Sequence, residues 1–181
     1  MVEKLIGLSH DLIIHPGETL KEMLEDTEMS QRELAIRTNV KEPHISGIVK
    51  GKKPISVSFA KRLEYALGID ASFWINLQSN YEKELADYEE LNEISSDEIH
   101  ILKKIEAITD YVKDIRLIDL DAEGPLLVIE WRKLLNISKL THISKISQSG
   151  AYRLSSSHNI DADILFTWLR ITDLITKRQQ L

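Results

Sequence analysis

The sequence predicts a mainly α-helical chain built as two small domains, and three observations carry that expectation. Glycine and proline punctuate the first half at His15-Pro16-Gly17, at Gly51 to Pro54 and at Gly68, with short stretches of helical periodicity between them. The second half repeats the helical spacing in Ile101, Ile105, Ile108 and Val112, in Leu127, Trp131 and Leu134, and in Ile164, Trp168, Ile171 and Ile175. Between the halves LNEISSD, residues 91–97, reads as a connection whose Ser95 or Ser96 caps the next helix. A first domain over 1–92 and a mostly helical second one over 97–181 are therefore expected. A chain of 181 residues is long enough for two small cores.

Each element has a local reason. Pro16 suits a helix start, and Leu20, Met23 and Leu24 fall on one face of a helix ending near Glu28. Ser30 caps the next helix, Gln31 to Thr38, with Glu33 completing a capping box, and Asn39 tolerates the left-handed conformation of a tight turn. A third helix runs from Glu42 to Lys50 and stops at Gly51. Ser56 caps a fourth, whose Phe59, Ala60, Leu63 and Leu67 face a core and which Gly68 ends. A longer fifth begins near Asp70, and residues 115–120 suit a short strand.

Composition narrows the function. With 43% hydrophobic and 29% charged residues this is an ordinary globular chain, and its longest apolar run falls well short of the roughly 20 residues that cross a bilayer. The N-terminus lacks the pattern of a secretory signal, so a cytoplasmic location is expected. Without cysteine there is neither a disulfide framework nor a thiolate metal site, and the six histidines show no metal spacing. Neither a cofactor nor a catalytic constellation is expected, and Ser155 to Ser157 beside His158 read as a serine-rich loop.

The net charge of −6 argues against nucleic acid when taken alone, but the charge is segregated. Residues 41–62 hold Lys41, Lys50, Lys52, Lys53, Lys61 and Arg62 against the single acid Glu42. Residues 82–99 hold eight acids against Lys83, a stretch that reads as a solvated helix face or as a surface for a basic partner.

The run SQRELAIRTNVKEPHISGIVKGKKPI, residues 30–55, has the mechanics of two helices crossing through a tight turn. Ala35 is small where they cross, while Val40, Ile45 and Ile48 plug the core beneath. In such a unit the N-terminal turn of the second helix enters the major groove and the first helix lies across the backbone. That turn carries Lys41, Glu42, Pro43 and His44, with Ser46 further along. Lys41 is suited to guanine O6 and N7, Glu42 to cytosine N4, and His44 to a base or phosphate. Gln31 is placed to hold a phosphate, and Lys50, Lys52 and Lys53 form a backbone clamp.

These residues resemble the XRE family of helix-turn-helix regulators and, within it, the HigA-type antitoxins. The markers are HPGETLKEML at 15–24, then SQRELA, GKKPIS, RLEYALGID and SFWINLQSNYE at 72–82. The resemblance implies a five-helix lambda-repressor-like DNA-binding domain, a homodimer on a palindromic operator, and repression of the genes for the antitoxin and its toxin. On the fifth helix Phe73, Trp74, Leu77 and Tyr81 form an apolar stripe that reads either as closing the domain core or, as the resemblance implies, as supplying dimer contacts. Pro43 and Gly47 stand where members often present long polar side chains, which shifts reading towards DNA shape. Residues 150–174 are similar to the linker of ImmA/IrrE-type regulators, yet no HExxH is present. Two functions stay open: an antitoxin whose C-terminal domain binds a toxin, or a stand-alone regulator whose C-terminal half dimerises or senses a ligand.

Overall fold

The structure, a computed structural model, describes residues 10–149 and 161–178. Every regular element among them is helical, and none of these helices is long and apolar enough to cross a membrane. Among the described residues, 10–89 form one compact unit and 90–149 with 161–178 a second, the division falling inside one helix.

In the first unit α1 (Pro16–Asp26) begins at Pro16 behind the cap His15. The chain turns through Glu28 at φ 53°, and the Met29 N–H donates to the Leu24 carbonyl at 2.9 Å. Helix α2 (Gln31–Thr38) is capped by Ser30, whose Oγ accepts the Glu33 N–H at 3.1 Å. Glu33 directs its carboxylate to Arg37 at 2.6 Å, one turn on, so this capping box is half made. Asn39 ends α2 in the left-handed region at φ 50°, which lets the Val40 N–H donate back to the Ala35 carbonyl. Helices α3 (Glu42–Val49) and α4 (Val57–Leu67) come next, α4 between the Ser56 cap and Gly68 at φ 75°. Helix α5 spans Ala71–Asn92.

Leu20, Leu34, Ile45, Ile48, Leu63 and Trp74 are wholly buried in this unit. Each such side chain contributes about 1.5–3 kcal/mol through the water it sheds. Helix α3 packs on α1 and α2, and α2 packs on α4, so the core fixes α3 through one face and leaves the other outward.

In the second unit α6 (Ser96–Lys104) starts at the cap Ser95 and leads into α7 (Glu106–Asp114). Helices α8 (Gly124–Leu135), α9 (Ile143–Ser149) and α10 (Ala162–Arg178) complete it. Its core holds Ile105, Val112, Val128, Trp131, Leu140 and Ile171, with the Trp131 indole N–H donating to Thr109 Oγ1 at 3.1 Å.

Two expectations are corrected here. Residues 115–120 form no strand: Arg116 stands at φ 55° just past the Ile115 cap of α7, and Lys113 Nζ gathers the Leu120 and Ala122 carbonyls at 3.0 and 2.8 Å into a tight loop. The acidic stretch is not solvated throughout, because Glu98 is buried and bound twice by Arg132, at 2.9 and 2.7 Å. Ser155 to His158 lie outside the described residues.

Candidate nucleic-acid interface

Helix α3 starts without a side-chain cap, because its cap position is Lys41 and the next residues are Glu42 and Pro43. All three are exposed, so the first turn presents two charges and a rigid ring outward. His44 is half-buried with its ring edge-on to Phe59, centroids 5.3 Å apart, which leaves it less free than its neighbours. Ser46 is half-buried further along α3, and Gln31 holds the first position of α2.

At its other end the chain leaves α3 through Lys50 and Gly51, the latter at φ 68°. The Lys52 N–H donates to the Gly47 carbonyl at 2.8 Å, which wraps the lysine loop against the helix end. Lys50, Lys52 and Lys53 are exposed. Among the described residues none of these lysines, nor Lys41, is held in an ion pair. Four uncompensated cations therefore flank the outward side of α3, an arrangement suited to phosphates.

The remaining two cations of the basic run have other duties. Lys61 pairs with Glu64, and that hydrogen bond raises the lysine pKa and lowers that of the glutamate. Arg62 Nη1 donates to the carbonyls of Thr38 and Asn39, at 3.2 and 3.1 Å, and so closes the end of α2 where the turn begins. Its partners lie more than 20 residues away in sequence, so no local pattern announces them.

The family profile described as Helix-turn-helix (HTH_3) matches residues 20–74. Virulence-associated protein I of Dichelobacter nodosus is 36% identical over 75 residues, which span 41% of this chain and 69% of that protein. The chain belongs to the XRE-type helix-turn-helix family.

Two solved structures are also similar to this helix-turn-helix protein. A Pseudomonas aeruginosa protein in complex with its operator DNA is 39% identical, covering 40% of this chain and 80% of its own, with a TM-score of 0.39. The Pseudomonas aeruginosa antitoxin HigA, solved with the higBA promoter, is 35% identical, covering 46% of this chain and 96% of its own, with a TM-score of 0.41.

Within the helix-turn-helix unit three residues support the site in ways the sequence did not announce. Gln78, buried on α5, accepts the Ile55 N–H at 2.9 Å and so pins the chain just after the lysine loop. Its signal was a polar residue inside an apolar stripe. Gly47 gives Lys53 a place to lie, since a Cβ there would stand 3.0 Å from Lys53 Cδ. Gly17 brings α1 against the end of α3, where a Cβ would stand 1.9 Å from the Ile48 carbonyl oxygen.

The apolar stripe on α5 divides. Trp74 is fully buried in the core and is not available to a partner, whereas Phe73 is 38% exposed and Leu77 and Tyr81 are half-buried. Among the described residues no group of three or more His, Asp or Glu is placed to hold a metal ion.

Proposed function

We propose that this helix-turn-helix protein is a dimeric repressor that reads a palindromic operator through Lys41, Glu42, Pro43 and His44, with Ser46 beside them. In this reading Gln31, Lys50, Lys52 and Lys53 hold phosphates. The observation that carries it is the outward first turn of α3 flanked by four lysines that, among the described residues, are held in no ion pair. Charge on that side supplies affinity for any duplex, and the few side chains at the turn supply selection among sequences.

The dimer is formed through the exposed part of α5, around Phe73 with Leu77 and Tyr81 at its margin. A two-fold pair places two readers in successive major grooves, about 34–36 Å apart. The protein is the antitoxin of a toxin-antitoxin pair that represses its own operon, and the second unit engages the toxin. Identity of 35% to the HigA antitoxin across nearly all of that protein supports this choice over a stand-alone regulator. The match spans less than half of this chain, so the role of the second unit rests on the proposal itself.

The test is a shift assay on the DNA upstream of the gene, joined to co-purification with the product of the neighbouring gene. Selective retention of the upstream duplex, capture of the neighbour and relief of its toxicity support the antitoxin. Retention of the duplex without any such neighbour leaves a repressor and removes the antitoxin. Lack of affinity for the upstream duplex in dilute salt removes both.

A further inference from the structure

The corner His15-Pro16-Gly17 sits against the end of α3 opposite to its reading turn. Gly17 touches that end with no side chain between: an added Cβ would lie 1.9 Å from the Ile48 carbonyl oxygen and 2.8 Å from its carbon. Only glycine allows so close an approach of two backbones. His15 is held at the same place from three sides. Its Nδ1 accepts the Gly17 N–H at 2.9 Å and caps α1. Its ring meets Tyr81 of α5 edge-on, with centroids 4.7 Å apart. Its other side faces Gly51, where a Cβ would come 3.5 Å from His15 Cγ. One imidazole thus joins the start of α1, a face of α5 and the first residue of the lysine loop.

We propose that His15 and Gly17 are positioning residues for DNA recognition, fixing the far end of the reader helix and the lysine loop, and that His15 does so only as neutral imidazole. This rests on the DNA-binding reading. The chemical reason is direct: Nδ1 accepts the Gly17 N–H through a lone pair, and a protonated imidazole has no acceptor left. Protonation therefore removes the α1 cap and sets an N–H against the Gly17 N–H. The groups facing the ring are Glu18 on its own helix, Tyr81 from α5 and the uncharged Gly51 from the loop. Burial of the ring holds its pKa below the ordinary 6.5, against the opposite pull of Glu18. The folded form thus resists the proton. Stability tied to this corner is complete above the ordinary value of about 6.5 and is lost as pH falls from there through the lower folded value.

The test uses the full chain on its upstream duplex and on an unrelated one, titrated at constant ionic strength from about pH 8 down to about pH 5.5, across the imidazole range. The unaltered chain is compared with His15→Asn, His15→Ala and Gly17→Ala, and circular dichroism reports folding at each pH. Asparagine caps through its side-chain oxygen and does not titrate there. The unaltered chain should lose about three- to tenfold in affinity on acidification, the size of a lost cap. His15→Asn should bind like the unaltered chain near pH 7.5 and lack most of that loss, and His15→Ala should bind weakly throughout. Every other residue is the same in the unaltered chain and in His15→Asn, so the difference between them isolates this corner. Amide exchange over residues 50–53 should quicken in His15→Ala and stay slow in His15→Asn. If Gly17→Ala does not fold, the His15 pair decides the matter alone. Identical pH slopes for the unaltered chain and folded His15→Asn overturn this proposal and leave DNA binding standing. No affinity in the unaltered chain near pH 7.5 overturns the DNA-binding reading, and this proposal with it.

Discussion

The methylene stem of Lys53 crosses Gly47 so closely that a Cβ on the glycine would stand 3.0 Å from Lys53 Cδ and 3.2 Å from Cγ. A glycine inside a helix costs about 1 kcal/mol relative to alanine. Here the helix gives up that stability and gains a lysine laid along its outward side. Gly47→Ala should therefore raise thermal stability by about 0.5–1 kcal/mol while displacing Lys53. DNA affinity should fall about two- to fivefold, the size of a weakened phosphate contact. Melting and titration of the same preparation check the pair of opposite signs, and a rise in both would show that the seat is irrelevant to binding.

Lys52 and Lys53 are exposed and, among the described residues, held in no ion pair, so both offer their charge to phosphates. Replacing both by glutamate should weaken binding to every duplex by a similar factor. The slope of log affinity against log salt should become shallower by about 2, since each phosphate contact contributes about 0.9. An unchanged slope would place the phosphates elsewhere.

Lys41 and Glu42 stand at the first turn of α3 with their side chains exposed. Changing either to alanine should alter which sequence is preferred, each good base contact being worth about 1–3 kcal/mol of discrimination. The measurement is competition between the upstream duplex and single-base variants of it. An even loss on all duplexes would mean that this turn does not read bases.

Arg62 belongs to the basic run by sequence, yet its guanidinium serves the carbonyls of Thr38 and Asn39. Arg62→Ala should cost about 1.5–3 kcal/mol of stability, the range for hydrogen bonds that involve a charged group. DNA affinity should fall with no change in salt slope, because the turn loosens and no phosphate contact is lost. A shallower slope would give Arg62 a phosphate contact of its own.

These cases explain what was legible in the sequence. The ends of α2 could be read because Ser30 and Asn39 act within one turn of themselves. Lys61 could have been set aside in the same way, since its partner Glu64 is three residues on. Arg62 and Glu98 could not, because their partners lie more than 20 and more than 30 residues away. Residues 115–120 misled because a short apolar run does not say whether it will be extended or coiled. Arg116 in the left-handed region and the grip of Lys113 on two carbonyls decided that. For Trp74 the stripe on α5 was plain, but periodicity does not tell which part of a stripe meets its own core.

In the second unit Glu98 is 1% exposed and Arg132 is 5% exposed. Burial pushes the Glu98 carboxyl up, but hydrogen bonds from Arg132 and from the Leu140 and Ser95 surroundings outweigh it and hold its pKa below the ordinary 4.5. The carboxylate oxygens take Arg132 Nε at 2.9 Å, Arg132 Nη2 at 2.7 Å and the Leu140 N–H at 2.8 Å, while Glu90 takes Arg132 Nη1 at 2.9 Å. A folded carboxyl that resists protonation contributes stability that is present above its ordinary pKa and lost as pH falls through the folded value. Acid should thus loosen this unit below about pH 4.5. Arg132→Met strands a buried charge and should cost about 3–5 kcal/mol, whereas Glu98→Leu with Arg132→Met should recover most of that and remove the acid step. Amide exchange in α6 and α8 localises the effect. Equal losses for the single and double variants would mean that the pair holds this fold through its shape and not through its charge.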